Sequence, residues 1–174
     1  MTTHFQPVDP MDLNENSIKL LGKDWMLITG GRLQAYNQMT ASWGFLGFLW
    51  QKPMAICMVR PQRHTLPFLQ QYESFSLTFF EEANRKVLNY CGRYSGRDID
   101  KMKAPGLTPF ALPSGAVSFR EARLILECKK CYTGKIDPEG FALAELSKTF
   151  YPGNDFHHLF FGEITGAWEK TKKS

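Results

Sequence analysis

The chain has 174 residues and a mass of 19.9 kDa, the size of one ordinary domain, and its 43% hydrophobic residues can form a core without disulfides or metals. Its net charge of +4 comes from lysines and arginines interleaved with acids, which excludes an obvious nucleic-acid arm. No apolar stretch approaches the roughly 20 residues of a membrane span, and the amino terminus lacks a secretory pattern. We therefore expect one cytoplasmic domain over residues 1–174 that binds neither nucleic acid nor membrane.

The first elements of the chain are predicted to be a short helix and a β-hairpin. Leu13 to Lys23 has the pattern of a leading helix. Trp25 to Thr29 and Arg32 to Tyr36 have the composition of strands, with Gly30-Gly31 between them. Because two glycines between strands are typical of a tight hairpin turn, we expect the chain to reverse at this pair.

Two further strands are predicted at Met54–Val59 and Phe75–Phe80, where apolar and aromatic residues follow strand spacing. The segment between them contains Thr65 and, two positions later, Pro67. Threonine is a common helix cap and proline is tolerated in a first turn. We therefore expect a short helix that is capped by Thr65.

The second half of the chain is predicted to contain one helix and two long strands. Glu81 to Tyr90 has a helical pattern, and Ala116 to Tyr132 has the alternation of a long strand. A turn at Asp137-Pro138-Glu139-Gly140 precedes a final strand from His158 to Trp168. Since the strands do not alternate regularly with helices, the pattern favours a mainly β protein with short helices, arranged as an antiparallel Greek-key barrel.

The four cysteines raise the question of a redox pair or a zinc site at Cys128-Lys129-Lys130-Cys131. This segment lies in a predicted strand, where positions three apart point to opposite faces and lie about 10 Å apart. That separation exceeds the reach of a disulfide. No second cysteine pair has zinc spacing, so neither a catalytic dithiol nor a metal site is predicted.

Three short segments carry groups that can bind an anion. Asn37 to Gly44 combines small hydroxyl residues, backbone donors and an aromatic residue in one turn, and Arg60 to Thr65 and Ser95 to Lys101 each combine positive charge with hydroxyl groups and turn residues. Backbone amides with hydroxyls, and planar guanidinium groups, are suited to phosphate oxygens. Each segment also has a purely structural explanation, as a strand face, as surface charge or as a capping turn. Their occurrence in one chain favours a single phosphorylated ligand.

These segments resemble the flavin reductase-like, FMN-binding split-barrel family, particularly its flavoredoxin-like branch. The resemblance extends from about Trp25 to Trp168 and includes Gly162-Glu163 in the last predicted strand. It implies a six-stranded Greek-key split β-barrel, a homodimer with FMN near the subunit interface, and redox chemistry carried out by that flavin.

The resemblance also implies roles for individual residues. A histidine five positions before the Gly-Glu pair lies near the reactive face of the flavin in many relatives, which makes His157 the candidate catalytic residue. The other roles carry over by position: Asn37, Met39, Thr40, Ala41, Ser42 and Trp43 contact the flavin or its ribityl chain, Arg60, Arg63, Thr65 and Lys101 hold the phosphate, and Ser95, Gly96, Arg97 and Asp98 close the site.

Relatives with nicotinamide-linked activity often read Gly-Asp-His at the histidine, whereas this chain reads Asp155-Phe156-His157. The leading interpretation is an FMN-dependent oxidoreductase that passes reducing equivalents from NAD(P)H to flavin or to another acceptor. A second interpretation is an electron-transfer flavoprotein that is served by a separate redox partner protein. A third is a barrel without flavin that binds another phosphorylated ligand or acts as an interaction module.

Overall fold

The computed structural model describes residues 5–171, and within this range it contains ten strands and four short helices. The strands are β1 (Phe5–Val8), β2 (Met26–Arg32), β3 (Ala35–Ala41), β4 (Gly44–Leu49), β5 (Lys52–Val59), β6 (Ser74–Phe79), β7 (Pro109–Ala111), β8 (Val117–Phe119), β9 (Leu124–Lys135) and β10 (His158–Lys170). The helices are α1 (Ser17–Lys19), α2 (Thr65–Gln71), α3 (Arg85–Arg93) and α4 (Ala144–Phe150). No helix within the described residues is long and apolar enough to cross a membrane.

Eight strands form one antiparallel sheet in the order β3-β2-β6-β9-β10-β5-β4, with β1 on the same edge of β10 as β5. The sheet therefore has two more strands than the resemblance implies. Buried side chains from β2, β3, β5, β6, β9 and β10 meet in a single apolar cluster. Strands this far apart in the order share one core only if the sheet curls around it, which agrees with the predicted mainly β barrel.

The curvature is concentrated in β10, whose pairing with β9 shifts register after Phe161 and again after Ile164. Such irregularities bend a strand and increase its twist. At the first shift, a Cβ on Gly162 would lie 2.7 Å from the Phe75 ring and 2.8 Å from Cβ of Cys128. Glycine is needed there because the two neighbouring side chains fill the space that a side chain would take.

The predicted hairpin exists, but the predicted glycine turn is wrong. The turn is Leu33–Gln34, and both glycines lie inside β2. Gly31 has φ of +114°, and a Cβ there would lie 2.3 Å from the carbonyl oxygen of Ala35. Gly30 lets α2 pack closely, since its Cβ would lie 3.1 Å from the backbone nitrogen of Leu69. The glycines therefore serve packing and backbone conformation within the strand.

The predicted strands at Met54–Val59, Phe75–Phe80 and His158–Trp168 are confirmed as β5, β6 and β10, with boundaries that differ by a few residues. The strand predicted over Ala116–Tyr132 is interrupted, because a turn separates β8 from β9. Cys128 is buried and Cys131 is exposed, as opposite faces of β9 require, and all four thiols are free.

The helices differ more from the prediction. The leading helix starts only at Ser17 and continues beyond α1 as a π-helical turn over Leu20–Asp24. Thr65 is the first residue of α2 and not its cap, a position held by His64. The sequence pattern missed α4, which lies in the connection from β9 to β10.

Candidate functional site

Two adjoining clefts bring the predicted site residues together. The first cleft has a volume of about 450 Å³ and lies between β3, the end of β5 and α3, and the second cleft has about 340 Å³. Met39 and Arg63 line both. The other predicted residues of the first cleft are Thr40, Ala41, Ser42, Trp43, Arg60 and His157, and those of the second are Asn37, Thr65, Ser95, Gly96, Arg97, Asp98 and Lys101.

The second cleft is held together by Asn37, which is buried on β3. Its side-chain amide donates a hydrogen bond of 2.7 Å to the hydroxyl oxygen of Thr65, which ties β3 to the start of α2. The loop at Gly96 closes against the same side chain, because a Cβ on this glycine would lie 2.2 Å from Oδ1 of Asn37. The three predicted segments therefore meet at one buried amide.

Lys101 brings a positive charge into this cleft and is only 5% exposed. Its Nζ donates to the carbonyl oxygens of Gln38 at 3.1 Å and Cys91 at 2.7 Å. Burial lowers the pKa of Lys101, and the charge of Arg63 acts in the same direction. No carboxylate pairs with Lys101 among the described residues. A buried ammonium group without a counter-charge favours an anionic ligand.

The two arginines of the central segment have different surroundings. The guanidinium group of Arg60 pairs with Asp155 and donates at 2.7 Å to the carbonyl oxygen of Phe150. Arg63 is exposed, and its side chain has no hydrogen bond or ion pair within residues 5–171. Arg63 is therefore free to meet an anion, whereas Arg60 would have to exchange Asp155 for it.

The floor of the first cleft is formed where β3 packs against α3. The hydroxyl of Thr40 donates to the carbonyl oxygen of Leu88, and a Cβ on Gly92 would lie 3.3 Å from Cβ of Thr40. Thr40 therefore contributes to helix packing as well as to the cleft. Asn89 and Arg93 complete this wall from α3 and were missed by the sequence reasoning. Asn89 lies in the helix predicted over Glu81 to Tyr90, whereas Arg93 lies beyond its predicted end, and their spacing of four residues places them on one face only because α3 continues to Arg93.

His157 closes the opposite side of the first cleft and is 6% exposed. Its Nδ1 is 2.8 Å from the hydroxyl oxygen of Tyr151, and its ring centroid is 5.1 Å from that of Trp43. Burial and then the nearby charge of Arg60 lower the pKa of His157 from 6.5 to about 4, against an opposing effect of Asp155. The imidazole is therefore neutral near pH 7.

This lowered pKa predicts a pH dependence of stability. The unfolded His157 binds a proton near its ordinary pKa of 6.5 and the folded one only near 4. Protonation therefore favours the unfolded state as the pH falls between these values. Relative to His157→Gln, we expect the wild-type free energy of unfolding to fall by up to about 1.4 kcal/mol per pH unit in this window. Urea unfolding at a series of pH values measures it, and parallel curves for the two proteins would contradict it.

Several solved structures with this fold are named as flavin proteins. A flavoredoxin from Methanosarcina acetivorans has a TM-score of 0.65 and 22% identity, over 84% of this chain and 68% of that chain. An FMN-binding protein from Thermus thermophilus also has a TM-score of 0.65 and 22% identity, over 83% and 70%. An NADH:FAD oxidoreductase from Streptomyces globisporus, solved with NAD and FAD fragments, has a TM-score of 0.61 and 18% identity, over 85% and 77%.

No curated protein matches the chain. A family model, described as the flavin reductase like domain, matches residues 21–174 and thus all the segments that form the two clefts. The family shown by this match is the one that the sequence motifs resemble. This chain belongs to the flavin reductase-like family.

Proposed function

We propose that this chain binds FMN in the two clefts and acts as an oxidoreductase. The single observation that carries the proposal is the buried, uncompensated charge of Lys101 beside a cleft that also contains Arg63. The phosphate of FMN supplies the missing negative charge. When bound, the flavin supplies hydride or single-electron transfer, and the residues of the chain orient it and exclude water.

In this proposal the phosphate is held in the second cleft by Lys101, Arg63 and the hydroxyl of Thr65. Asn37 orients that hydroxyl, because its amide hydrogen binds one lone pair of the Thr65 oxygen. The hydroxyl hydrogen of Thr65 is then available to the phosphate. The predicted phosphate role of Arg60 stays a prediction, because a ligand would compete there with Asp155. The ribityl chain is assigned to the loop of Ser95, Gly96, Arg97 and Asp98, and the ring system to the residues of β3 up to Trp43.

Replacing Lys101 by methionine tests the phosphate assignment. The substitution keeps an unbranched side chain but removes the charge, and a charge-assisted hydrogen bond contributes about 1.5–3 kcal/mol. We therefore expect the dissociation constant of FMN to rise about ten- to hundredfold. Quenching of FMN fluorescence on titration with protein measures it.

Lys103→Met is the matched control, because Lys103 belongs to the same 3-10 turn and its side chain is 85% exposed. This variant should bind FMN as the wild type does. Equal FMN affinity of Lys101→Met and the wild type would refute the phosphate assignment, provided that both unfold at similar temperatures.

We further propose that NAD(P)H is the electron donor. Arg93 and Asn89 line the first cleft from α3, and Arg93 is exposed with no carboxylate partner within residues 5–171. An exposed guanidinium at the cleft rim is suited to the pyrophosphate of a nicotinamide dinucleotide. The relative solved with NAD and FAD fragments supports this proposal. The alternative is an electron carrier that is reduced by another protein.

Anaerobic mixing of the FMN-loaded protein with NADH or NADPH separates these two functions. If the enzyme is nicotinamide-dependent, the nucleotide reduces the flavin and the flavin absorbance is lost after mixing. Arg93→Gln should lower the rate of this reduction about tenfold, because it weakens nucleotide binding. Arg120→Gln is the control, since Arg120 is exposed and lies outside both clefts. Reduction by dithionite but by neither nucleotide would establish the carrier and refute NAD(P)H dependence.

We also propose that two copies of the chain associate through β4. This strand ends the sheet, and its outer edge has no strand partner in the described part of the chain. Phe45, Phe48 and Trp50 expose 62%, 63% and 55% of their surface around it. An apolar groove of about 410 Å³ runs from this strand to Ser42 and Trp43 of the first cleft. A second copy on β4 would therefore border the FMN site.

The substitution Phe48→Glu tests this association. A charge at the centre of an apolar interface should convert a dimer to a monomer, which sedimentation velocity measures directly. Leu143→Glu is the control, because Leu143 is also exposed, at 55%, but lies in the connection before α4. A wild type that sediments as a monomer at all concentrations would contradict the proposal.

A further inference from the structure

Tyr151 is a buried residue next to the first cleft that nothing in the sequence motifs assigns to the site. It follows α4, and its hydroxyl oxygen lies 2.8 Å from Nδ1 of His157. Both residues are 6% exposed. The hydrogen bond therefore occupies the imidazole nitrogen that faces the protein interior, Nδ1. The other imidazole nitrogen, Nε2, remains available to a ligand in the cleft.

The tyrosine ring is fixed by its neighbours, so the direction of its hydroxyl is fixed as well. It stacks on Phe156 with centroids 4.8 Å apart and meets the edge of Phe141 at 5.9 Å. The guanidinium carbon of Arg60 lies 5.1 Å from the ring centroid. A side chain held on these sides has little freedom to turn its hydroxyl elsewhere.

The hydrogen-bond inventory decides which group donates. The Tyr151 hydroxyl has one hydrogen, and within residues 5–171 its only hydrogen-bond partner is Nδ1 of His157. If Nδ1 carried the imidazole proton, the buried hydroxyl hydrogen would lack an acceptor, at a cost of about 1–3 kcal/mol. If the hydroxyl donates to Nδ1, every buried hydrogen is satisfied and the imidazole proton is on Nε2.

Nε2 is reachable from the cleft. Nε2 has no hydrogen-bond partner within the described residues. It is also absent from the buried side-chain atoms that lack a hydrogen-bond partner, so Nε2 is not fully enclosed by protein. The charged groups that act on the ring are Arg60, Arg63 and Asp155. Arg60 and Asp155 neutralise each other as an ion pair, so no isolated carboxylate draws a second proton onto the ring.

We propose that Tyr151 is a positioning residue that holds neutral His157 in the tautomer with its proton on Nε2, so that the first cleft presents a hydrogen-bond donor to an acceptor atom of its ligand. Flavin carbonyl oxygens, flavin ring nitrogens and the nicotinamide carboxamide oxygen are such acceptors, and this identification of the ligand rests on the proposed function. In this arrangement His157 orients the ligand by donation and does not exchange protons with it near pH 7.

The tautomer is measured on the ligand-free protein by long-range ¹H–¹⁵N correlation of the imidazole nitrogens at pH 7. Loss of signals in His157→Gln assigns the His157 resonances. In the wild type we expect the pattern of an unprotonated Nδ1 and a protonated Nε2. In Tyr151→Phe we expect the two tautomers to mix, whereas Tyr132→Phe, at an exposed tyrosine of β9, should leave the pattern unchanged.

Two results would overturn the proposal: a protonated Nδ1 in the wild type, or an unchanged tautomer in Tyr151→Phe. Neither measurement needs a flavin, so a protein with the expected tautomer that fails to bind FMN would refute the proposed function and leave this inference standing.

Conservative variants give a second readout. The amide nitrogen of His157→Gln can replace Nε2 as a donor, whereas that of His157→Asn can replace only Nδ1. We expect the glutamine variant to keep FMN affinity within about threefold and the asparagine variant to lose about tenfold, the range of one net hydrogen bond. Equal losses in both variants would contradict donation from Nε2.

Discussion

The pairing of β10 with its neighbours is the constraint on which the site depends. One edge of β10 pairs with β9, and the other pairs first with β5 and then with β1. In this ladder His158 lies opposite Val59, so the residues just outside the paired strands, His157 and Arg60, are brought side by side. The backbone register alone therefore places these two residues in one wall of the first cleft.

Electrostatics divides the two clefts between different tasks. In the second cleft, Lys101 is buried against two backbone carbonyl oxygens and Arg63 remains unpaired nearby. In the first cleft, Arg60 is neutralised by Asp155, and His157 is kept neutral by burial. The second cleft thus contains a buried excess of positive charge, whereas the first cleft adds aromatic surface and a neutral imidazole to the exposed charges of Arg63 and Arg93. A ligand with an anionic end and a flat, weakly charged ring matches both.

The connection between β9 and β10 supports the aromatic side of the site. It includes α4, Tyr151 and Phe156, and it is fastened to the end of β5 because Asp155 accepts hydrogen bonds from both Arg60 and Gln62. The ring of Phe150 meets Trp43 edge-on at 5.6 Å. The position of His157 therefore depends on a segment that the strand pattern does not describe.

The mainly β class, most strand positions and the three segments that line the clefts can be predicted from the sequence, because alternation, turn residues and clustered hydroxyls are local signals. The turn predicted at Gly30-Gly31 is misplaced, because the sequence does not distinguish a glycine that lets a neighbouring helix pack closely from a glycine that a turn requires. The pairing of distant groups is visible only in the folded chain: Arg60 pairs with Asp155, 95 positions away, and Lys101 with the Gln38 carbonyl, 63 positions away. The charge state and tautomer of His157 likewise follow from burial and from Tyr151, which no local pattern encodes.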